Sequence, residues 1–117
     1  MTFDAATLTS LRTIKEVRIR AGKARAVVIW VVVAGDAVFV RSVRGPKGRW
    51  YVSTRGDGRA VLEIGDQEHA VRATPVTDPA VLEAVSQVFL TKYATSPYAK
   101  SMVSPDVVPT TLRIDPA

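Results

Sequence analysis

Apolar and polar residues alternate over several short stretches of the chain, and such alternation predicts half-buried β-strands. The pattern is clear over 14–20 and over 59–64, where most apolar residues occupy alternate positions. The stretch 26–34 is apolar throughout, which is typical of a central strand covered on both faces, one side by the core and the other by a second layer or subunit. We expect a final strand at 110–114 that closes the sheet.

Two glycine–aspartate pairs separate strand-like stretches, and each predicts a β-hairpin. The first pair, at 35–36, precedes a strand expected at 37–42. The second pair, at 65–66, precedes a strand expected at 67–76. Because hairpins join neighbouring antiparallel strands, the sheet is expected to be mostly antiparallel.

Helix signals flank the strands. Asp78 followed by proline predicts the start of a helix over 79–93, where apolar residues recur at three- and four-residue spacing. Asp4 or Thr7 is expected to cap a shorter helix that ends near Arg12.

Proline and glycine interrupt the remaining segments. A short helix is predicted at 46–54, with Pro46 in its first turn, followed by a break at 55–58. The stretch 96–109 contains three prolines and is expected to be mostly irregular. Hairpin-joined strands with helices at the periphery predict a small closed barrel, because closure removes exposed strand edges.

Length and composition narrow the class of protein. A chain of 117 residues predicts a single domain over 1–117. The absence of cysteine excludes thiol catalysis and fits a reducing compartment, and no secretory signal pattern is present at the start, so we expect a cytoplasmic protein. The longest apolar run, 26–34, is well short of the roughly 20 residues of a membrane-spanning helix, so no membrane insertion is expected.

Positive charge is concentrated in one part of the chain. The net charge of +5 and the pI near 10.0 favour anionic partners. Between positions 41 and 59 a single acid, Asp57, faces a group of basic residues: Arg41, Arg44, Lys47, Arg49, Arg55 and Arg59.

This basic stretch has the chemistry of a phosphate site. A phosphate needs positive charge together with directed donors, and glycine lets backbone amides approach it. Ser42, Arg44, Gly45 and Arg49 supply that set within eight positions. A solvated surface loop of a basic protein explains the same residues about equally well.

The remaining residue types give weaker evidence for a functional site. Trp50 and Tyr51 could line a cofactor pocket, although packing explains adjacent aromatics more often. His69, the only histidine, shares a strand face with Val71 and is expected to be structural, and one histidine makes no metal site. The serines lie in no nucleophile-elbow motif, and glycine-rich dinucleotide and phosphate-loop motifs are absent, which leaves no assignable catalytic residue.

Three features of the sequence together resemble a known family. They are the central strand with tryptophan (Ile29-Trp30-Val31), the glycine–aspartate hairpin that follows it, and the stretch 38–51, which ends Arg-Gly-Pro-Lys-Gly-Arg-Trp-Tyr. They are similar to the split-barrel flavin-binding proteins related to pyridoxamine 5′-phosphate oxidase, and more narrowly to an uncharacterised bacterial branch of them. The resemblance covers residues 10–77 in the order of elements, and 38–51 is its most specific part.

The resemblance implies a mainly β fold, a six-stranded antiparallel split barrel with peripheral helices that forms a homodimer. It implies FMN or a deazaflavin at the subunit interface, and an oxidoreductase acting on an unknown small substrate. Carried onto this sequence, the phosphate would be held by Ser42 and Arg44 at the strand end and by Lys47 and Arg49 on the helix side. The segment 40–42, with Arg41, would lie along the ring, and the aromatic positions of the helix correspond to Trp50 and Tyr51.

Two other functions stay open on the residues alone. A small basic barrel could bind single-stranded nucleic acid, but few aromatic residues lie near the basic stretch, so this function ranks second. A structural or regulatory barrel with an empty cofactor cleft is the third possibility.

Overall fold

The computed structural model describes residues 2–117, which form three α-helices and seven strands. The helices are α1 (Ala5–Thr13), α2 (Arg49–Asp57) and α3 (Pro79–Lys92). The strands are β1 (Val17–Arg20), β2 (Val27–Ile29), β3 (Val32–Ala34), β4 (Ala37–Val40), β5 (Arg59–Ile64), β6 (Gln67–Pro75) and β7 (Leu112–Pro116). Short 3₁₀ helices occupy Gly45–Lys47, Ala99–Val103 and Val108–Thr110. Within 2–117, no helix has the length and apolar character needed to cross a bilayer.

All seven strands belong to one antiparallel sheet, in the order β2-β1-β5-β6-β7-β4-β3. The strands at the two ends of this order, β2 and β3, are consecutive in the chain, so the sheet curls round on itself. The mainly β, antiparallel split-barrel prediction is confirmed. The predicted six strands become seven because the single strand expected at 26–34 is interrupted.

The interruption lies at Trp30 and Val31, and α3 causes it. The Val31 N–H donates to the Tyr93 hydroxyl at 3.2 Å, and the Val31 carbonyl accepts from Lys92 Nζ at 2.6 Å. The Trp30 ring stacks on the Tyr93 ring, with centroids 3.8 Å apart and planes 2° from parallel. Since Lys92, the last residue of α3, and Tyr93, which caps the helix, hydrogen-bond to the main-chain groups of Val31, the ladder stops there. As a result β2 pairs with β1, whereas β3 pairs with β4.

Apolar side chains form two clusters, one inside the curled sheet and one under α3. The inner cluster is closed by α1 and includes Leu11, Ile19, Val40, Leu62 and Ile114. The outer cluster joins α3 to the opposite face of β3 and β4, through residues that include Val32, Phe39, Val85, Phe89 and Met102. The segment 26–34 therefore contributes to both clusters, as its unbroken apolar sequence predicted.

The local turn and cap predictions are confirmed. The hairpins at 35–36 and 65–66 connect β3 to β4 and β5 to β6, and Gly35 and Gly65 have φ of 63° and 62°. Asp78 caps α3 by accepting from the Ala80 N–H at 2.9 Å. Asp4, rather than Thr7, caps α1.

The prediction for 46–58 was wrong in its details. The helix expected at 46–54 is a 3₁₀ turn followed by α2, with Gly48 between them, and α2 continues through the expected break to Asp57. The helix ends at Gly58, whose φ of 72° is the left-handed conformation common at helix C-termini. A regular helix therefore does follow the basic loop.

Candidate ligand-binding cleft at the split in the barrel

A cleft of about 430 Å³ opens where the β3–β4 ladder stops. The ladder pairs Val32 with Phe39, and its register would continue to pair Ile29 with Ser42 and Val28 with Val43. Because β2 turns away to pair with β1, these two segments separate instead. They form the facing walls of the cleft, so the cleft is the split in the barrel.

Hydrogen bonds of Ser42 fix the segment that follows β4. The Ser42 N–H donates to Thr110 Oγ1 at 2.9 Å, and the Ser42 hydroxyl donates to the Gly45 carbonyl at 2.8 Å. Gly45 has φ of 70°, and a Cβ on Gly48 would overlap the Ser42 hydroxyl oxygen. This tight loop turns the chain away from the β2 side and delivers it to the start of α2.

Arg41 lies at the base of the cleft as a buried cation. Its guanidinium donates to the Thr111 hydroxyl at 2.8 Å, and to the Ser86 hydroxyl, the Met102 carbonyl and the Leu82 carbonyl at 2.9 Å each. These contacts use four of its five N–H groups. They join β4, β7, α3 and the 3₁₀ helix Ala99–Val103, so Arg41 organises the surrounding elements.

No carboxylate neutralises Arg41 by an ion pair within residues 2–117. Arg41 is only 1% exposed. Burial lowers the pKa of its guanidinium to about 10, and the negative charge of Glu83 partly opposes this lowering. At neutral pH the side chain therefore remains a cation among uncharged oxygens. A buried positive charge without a counter-ion makes the base of the cleft favourable for an anion.

Two further arginines line the cleft with their side chains free. Arg44 and Arg49 are exposed, and neither forms a hydrogen bond or ion pair through its side chain with any residue from 2 to 117. Arg49 begins α2, and the helix N-cap, Gly48, has no side chain to cap the first amides. The cationic wall, defined by Arg41, Arg44, Arg49 and the start of α2, thus combines charge with directed donors.

The other walls are apolar. Trp30 and Trp50 both line the cleft, and Trp50 is only 7% exposed. The mouth carries apolar side chains that face solvent: Val27 (40% exposed), Val28 (50%), Val43 (59%) and Tyr98 (67%). Large apolar side chains gathered at the rim of a cleft are typical of a surface that binds a ligand or another protein.

The residues predicted from sequence occupy different places. Arg41, Ser42, Arg44, Arg49 and Trp50 all line the cleft, whereas Lys47 and Tyr51 do not. Lys47 is exposed in the 3₁₀ turn. Tyr51 is buried in the inner cluster, and its hydroxyl accepts from Arg55 Nη1 at 2.8 Å.

The sequence did not indicate the other residues that line the cleft, among them Glu16, Tyr98 and Met102. Tyr98 and Met102 belong to the proline-rich stretch, whose irregular sequence carries no periodic signal. His69 lies on β6 against Phe3, with ring centroids 6.0 Å apart, and does not line the cleft. The described residues contain no group of acids and histidine placed to hold a metal ion.

Fold and cleft together define a split β-barrel protein. Solved structures with this fold include a candidate pyridoxamine 5′-phosphate oxidase from Listeria innocua (TM-score 0.67, 14% identity, covering 95% of this chain and 90% of that one). An F420-H2 dependent reductase is also similar (TM-score 0.63, 15% identity, covering 86% and 94%). So is HutZ, the heme storage protein from Vibrio cholerae (TM-score 0.63, 13% identity, covering 100% and 92%).

The chain belongs to the DUF2255 family, described as uncharacterized proteins conserved in bacteria, whose profile matches residues 7–114. No curated protein sequence matches it significantly. The resemblance inferred from the sequence is confirmed at the level of the split-barrel fold.

Proposed function

We propose that this protein binds FMN, or a related deazaflavin, in the cleft at the split, and transfers hydride or electrons to a small substrate. The observation that carries the proposal is the division of the cleft into apolar walls and one cationic wall. Its volume of about 430 Å³ also falls in the range of roughly 300–1,000 Å³ that is usual for small-ligand sites.

The phosphate would bind at the cationic wall. Arg44 and Arg49 have guanidinium groups free to form bidentate contacts, and the first amides of α2 have no side-chain cap at Gly48. Ser42 could join only after its hydroxyl turns away from the Gly45 carbonyl. Lys47 would add positive charge from outside the cleft.

The ring would bind between the apolar walls. Val28, Trp30, Val43 and Trp50 provide flat or branched apolar surface on both sides of the split. A bound flavin would supply the hydride chemistry, while these side chains orient the ring and exclude water from it. Heme is less well supported, because the only histidine, His69, lies outside the cleft.

We also propose that the protein acts as a homodimer of single-domain chains. Val27, Val28, Val43 and Tyr98 at the mouth would lose their exposed apolar area if a second copy covered the cleft. Covering the mouth would also remove a bound ring from solvent. Light scattering during size-exclusion chromatography is the direct measurement, and a monomer at all concentrations would refute the dimer.

The central test is a titration of the purified protein with FMN, riboflavin and a deazaflavin, followed by absorbance and fluorescence. We expect FMN to bind more tightly than riboflavin, which lacks the phosphate. The double variant Arg44→Ala, Arg49→Ala should remove that preference by weakening FMN binding about 10- to 100-fold. Arg18→Ala, Arg72→Ala, which removes two exposed arginines that do not line the cleft, is the matched control.

Different outcomes would select the alternative functions. Unchanged FMN affinity in the Arg44, Arg49 double variant would exclude the phosphate assignment. Binding of a single-stranded oligonucleotide with steep salt dependence, and of no flavin, would favour nucleic acid. Absence of any binding would favour a barrel without a cofactor.

A further inference from the structure

Glu16 is the one carboxylate that lines the cleft in the described part of the chain. It directly precedes β1, and because Val17 pairs with Ile29, the antiparallel register brings Glu16 beside Trp30 at the bend of the 26–34 segment. Its side chain is exposed and forms no ion pair with residues 2–117. Its negative charge is therefore available to a ligand.

The two sides of the cleft consequently differ in sign. Arg44 and Arg49 belong to the segment after β4 and the start of α2, whereas Glu16 belongs to the β1–β2 side. A ligand that binds its anionic group at the cationic wall and spans the cleft would reach the side that carries Glu16. A carboxylate accepts a strong hydrogen bond from an N–H group and repels a second anion.

We propose that Glu16 determines the charge specificity of the cleft, selecting planar phosphomonoesters whose opposite end is uncharged and carries an N–H donor. This inference rests on the proposed function and specifies which ligands that site accepts. The imide N–H of a flavin ring belongs to this chemical class. A ligand with an acidic group at both ends does not.

The expected size of the effect is that of repulsion between two like charges near a protein surface. Two like charges a few ångströms apart near a protein surface repel enough to change a dissociation constant by about five- to tenfold, and salt weakens the repulsion. This repulsion acts only on the second anionic group of the ligand. A comparison of two ligands on the same protein isolates it from any change in folding.

The experiment uses two FMN derivatives, one with a methyl group on the imide nitrogen and one with a carboxymethyl group there. On the unmodified chain we expect the carboxymethyl derivative to bind about five- to tenfold more weakly than the methyl derivative. Glu16→Gln should reduce this ratio to about twofold or less. Asp66→Asn, which removes an exposed charge in the β5–β6 turn, should leave the ratio unchanged. High salt should narrow the ratio in the unmodified chain and in Asp66→Asn, but not in Glu16→Gln.

The results separate this inference from the proposed function. If FMN binds and the ratio is the same in Glu16→Gln as in the unmodified chain, the role of Glu16 is refuted while the flavin site stands. If FMN and both derivatives fail to bind to the unmodified chain and to Glu16→Gln, both proposals are refuted.

Discussion

Replacement of Arg41 tests how far one buried cation supports the fold around the cleft. In Arg41→Met the aliphatic part of the side chain is retained and the guanidinium is lost. The four oxygens that it satisfies then lose their donor: those on Thr111, Ser86 and Met102 are in buried hydrogen bonds, and that on Leu82 is in a partly buried one. The variant separates the hydrogen bonds of Arg41 from its packing.

The magnitude follows from opposing effects. A buried acceptor left without a donor costs about 1–3 kcal/mol, but Leu82 also accepts within its helix, and both hydroxyl groups can reorient. Removal of the uncompensated charge recovers part of the loss, because burial had already lowered the pKa of Arg41 to about 10. We expect a net decrease of about 3 kcal/mol in the free energy of unfolding, which for a chain of this length lowers the melting temperature by about 10–15 °C.

Urea and thermal unfolding, followed by circular dichroism, measure this decrease. Arg44→Met removes an exposed arginine three residues away that forms no hydrogen bond, and it should change the free energy of unfolding by less than about 0.5 kcal/mol. Arg41→Lys should recover little, because an ammonium cannot reach four acceptors with the geometry of a guanidinium. An Arg41→Met variant within about 1 kcal/mol of the unmodified chain would refute the reasoning, since the hydrogen bonds would then only offset the cost of burying the charge.

Three further predictions concern the cleft loop, the strand break and the end of α2. Gly48→Ala should destabilise the protein by about 1–3 kcal/mol, because its Cβ overlaps the Ser42 hydroxyl, and the added change Ser42→Ala should restore part of the loss. Burial lowers the pKa of Lys92 to about 8 from an ordinary 10.5, with Lys15 contributing, so the unfolded chain holds the proton more tightly. The free energy of unfolding should therefore rise by about 1–2 kcal/mol between pH 8 and about pH 9.5, and Lys92→Met should abolish this rise. Gly58→Ala should lose about 1–2 kcal/mol, since φ is 72° there, whereas Gly56→Ala inside the helix, with open space around it, should gain up to about 1 kcal/mol.

Denaturant unfolding of each variant checks these values, with the pH series repeated for Lys92→Met. Additive losses in the Gly48, Ser42 pair would exclude the steric explanation. An equal pH dependence with and without the Lys92 ammonium would assign the titration to another group. A loss at Gly56 as large as that at Gly58 would show that the left-handed backbone is not what requires glycine.

Local signals in the sequence were sufficient for some of the regular elements. The bounds of β5 and α3 follow from alternation over 59–64 and from the Asp78 cap, because these features depend on residues within a few positions of each other. The hairpins at 35–36 and 65–66 follow from glycine at positive φ. Alternation, turns and caps of this kind depend mainly on neighbouring residues and little on the rest of the chain.

The candidate site was predictable only in part. Arg44 and Arg49, which the sequence nominated for a phosphate, both line the cleft, and their role in binding stays a prediction. The sequence did not distinguish Arg41, which is buried, from its exposed neighbours, since a guanidinium is buried only if acceptors from distant elements meet it. Glu16 and Tyr98 carry no local pattern that indicates a site.

Alternation, turns and caps act over short distances, so they were enough to predict a mainly β barrel of hairpin-joined strands with a long helix and a basic loop. The break of the apolar segment 26–34 at Val31, which opens the barrel into a cleft, became visible only in the folded chain. The groups that break it, on Tyr93 and Lys92, lie 62 and 61 residues further along the chain. Contacts over such separations depend on how the helix packs against the sheet, and no periodicity in the sequence records them.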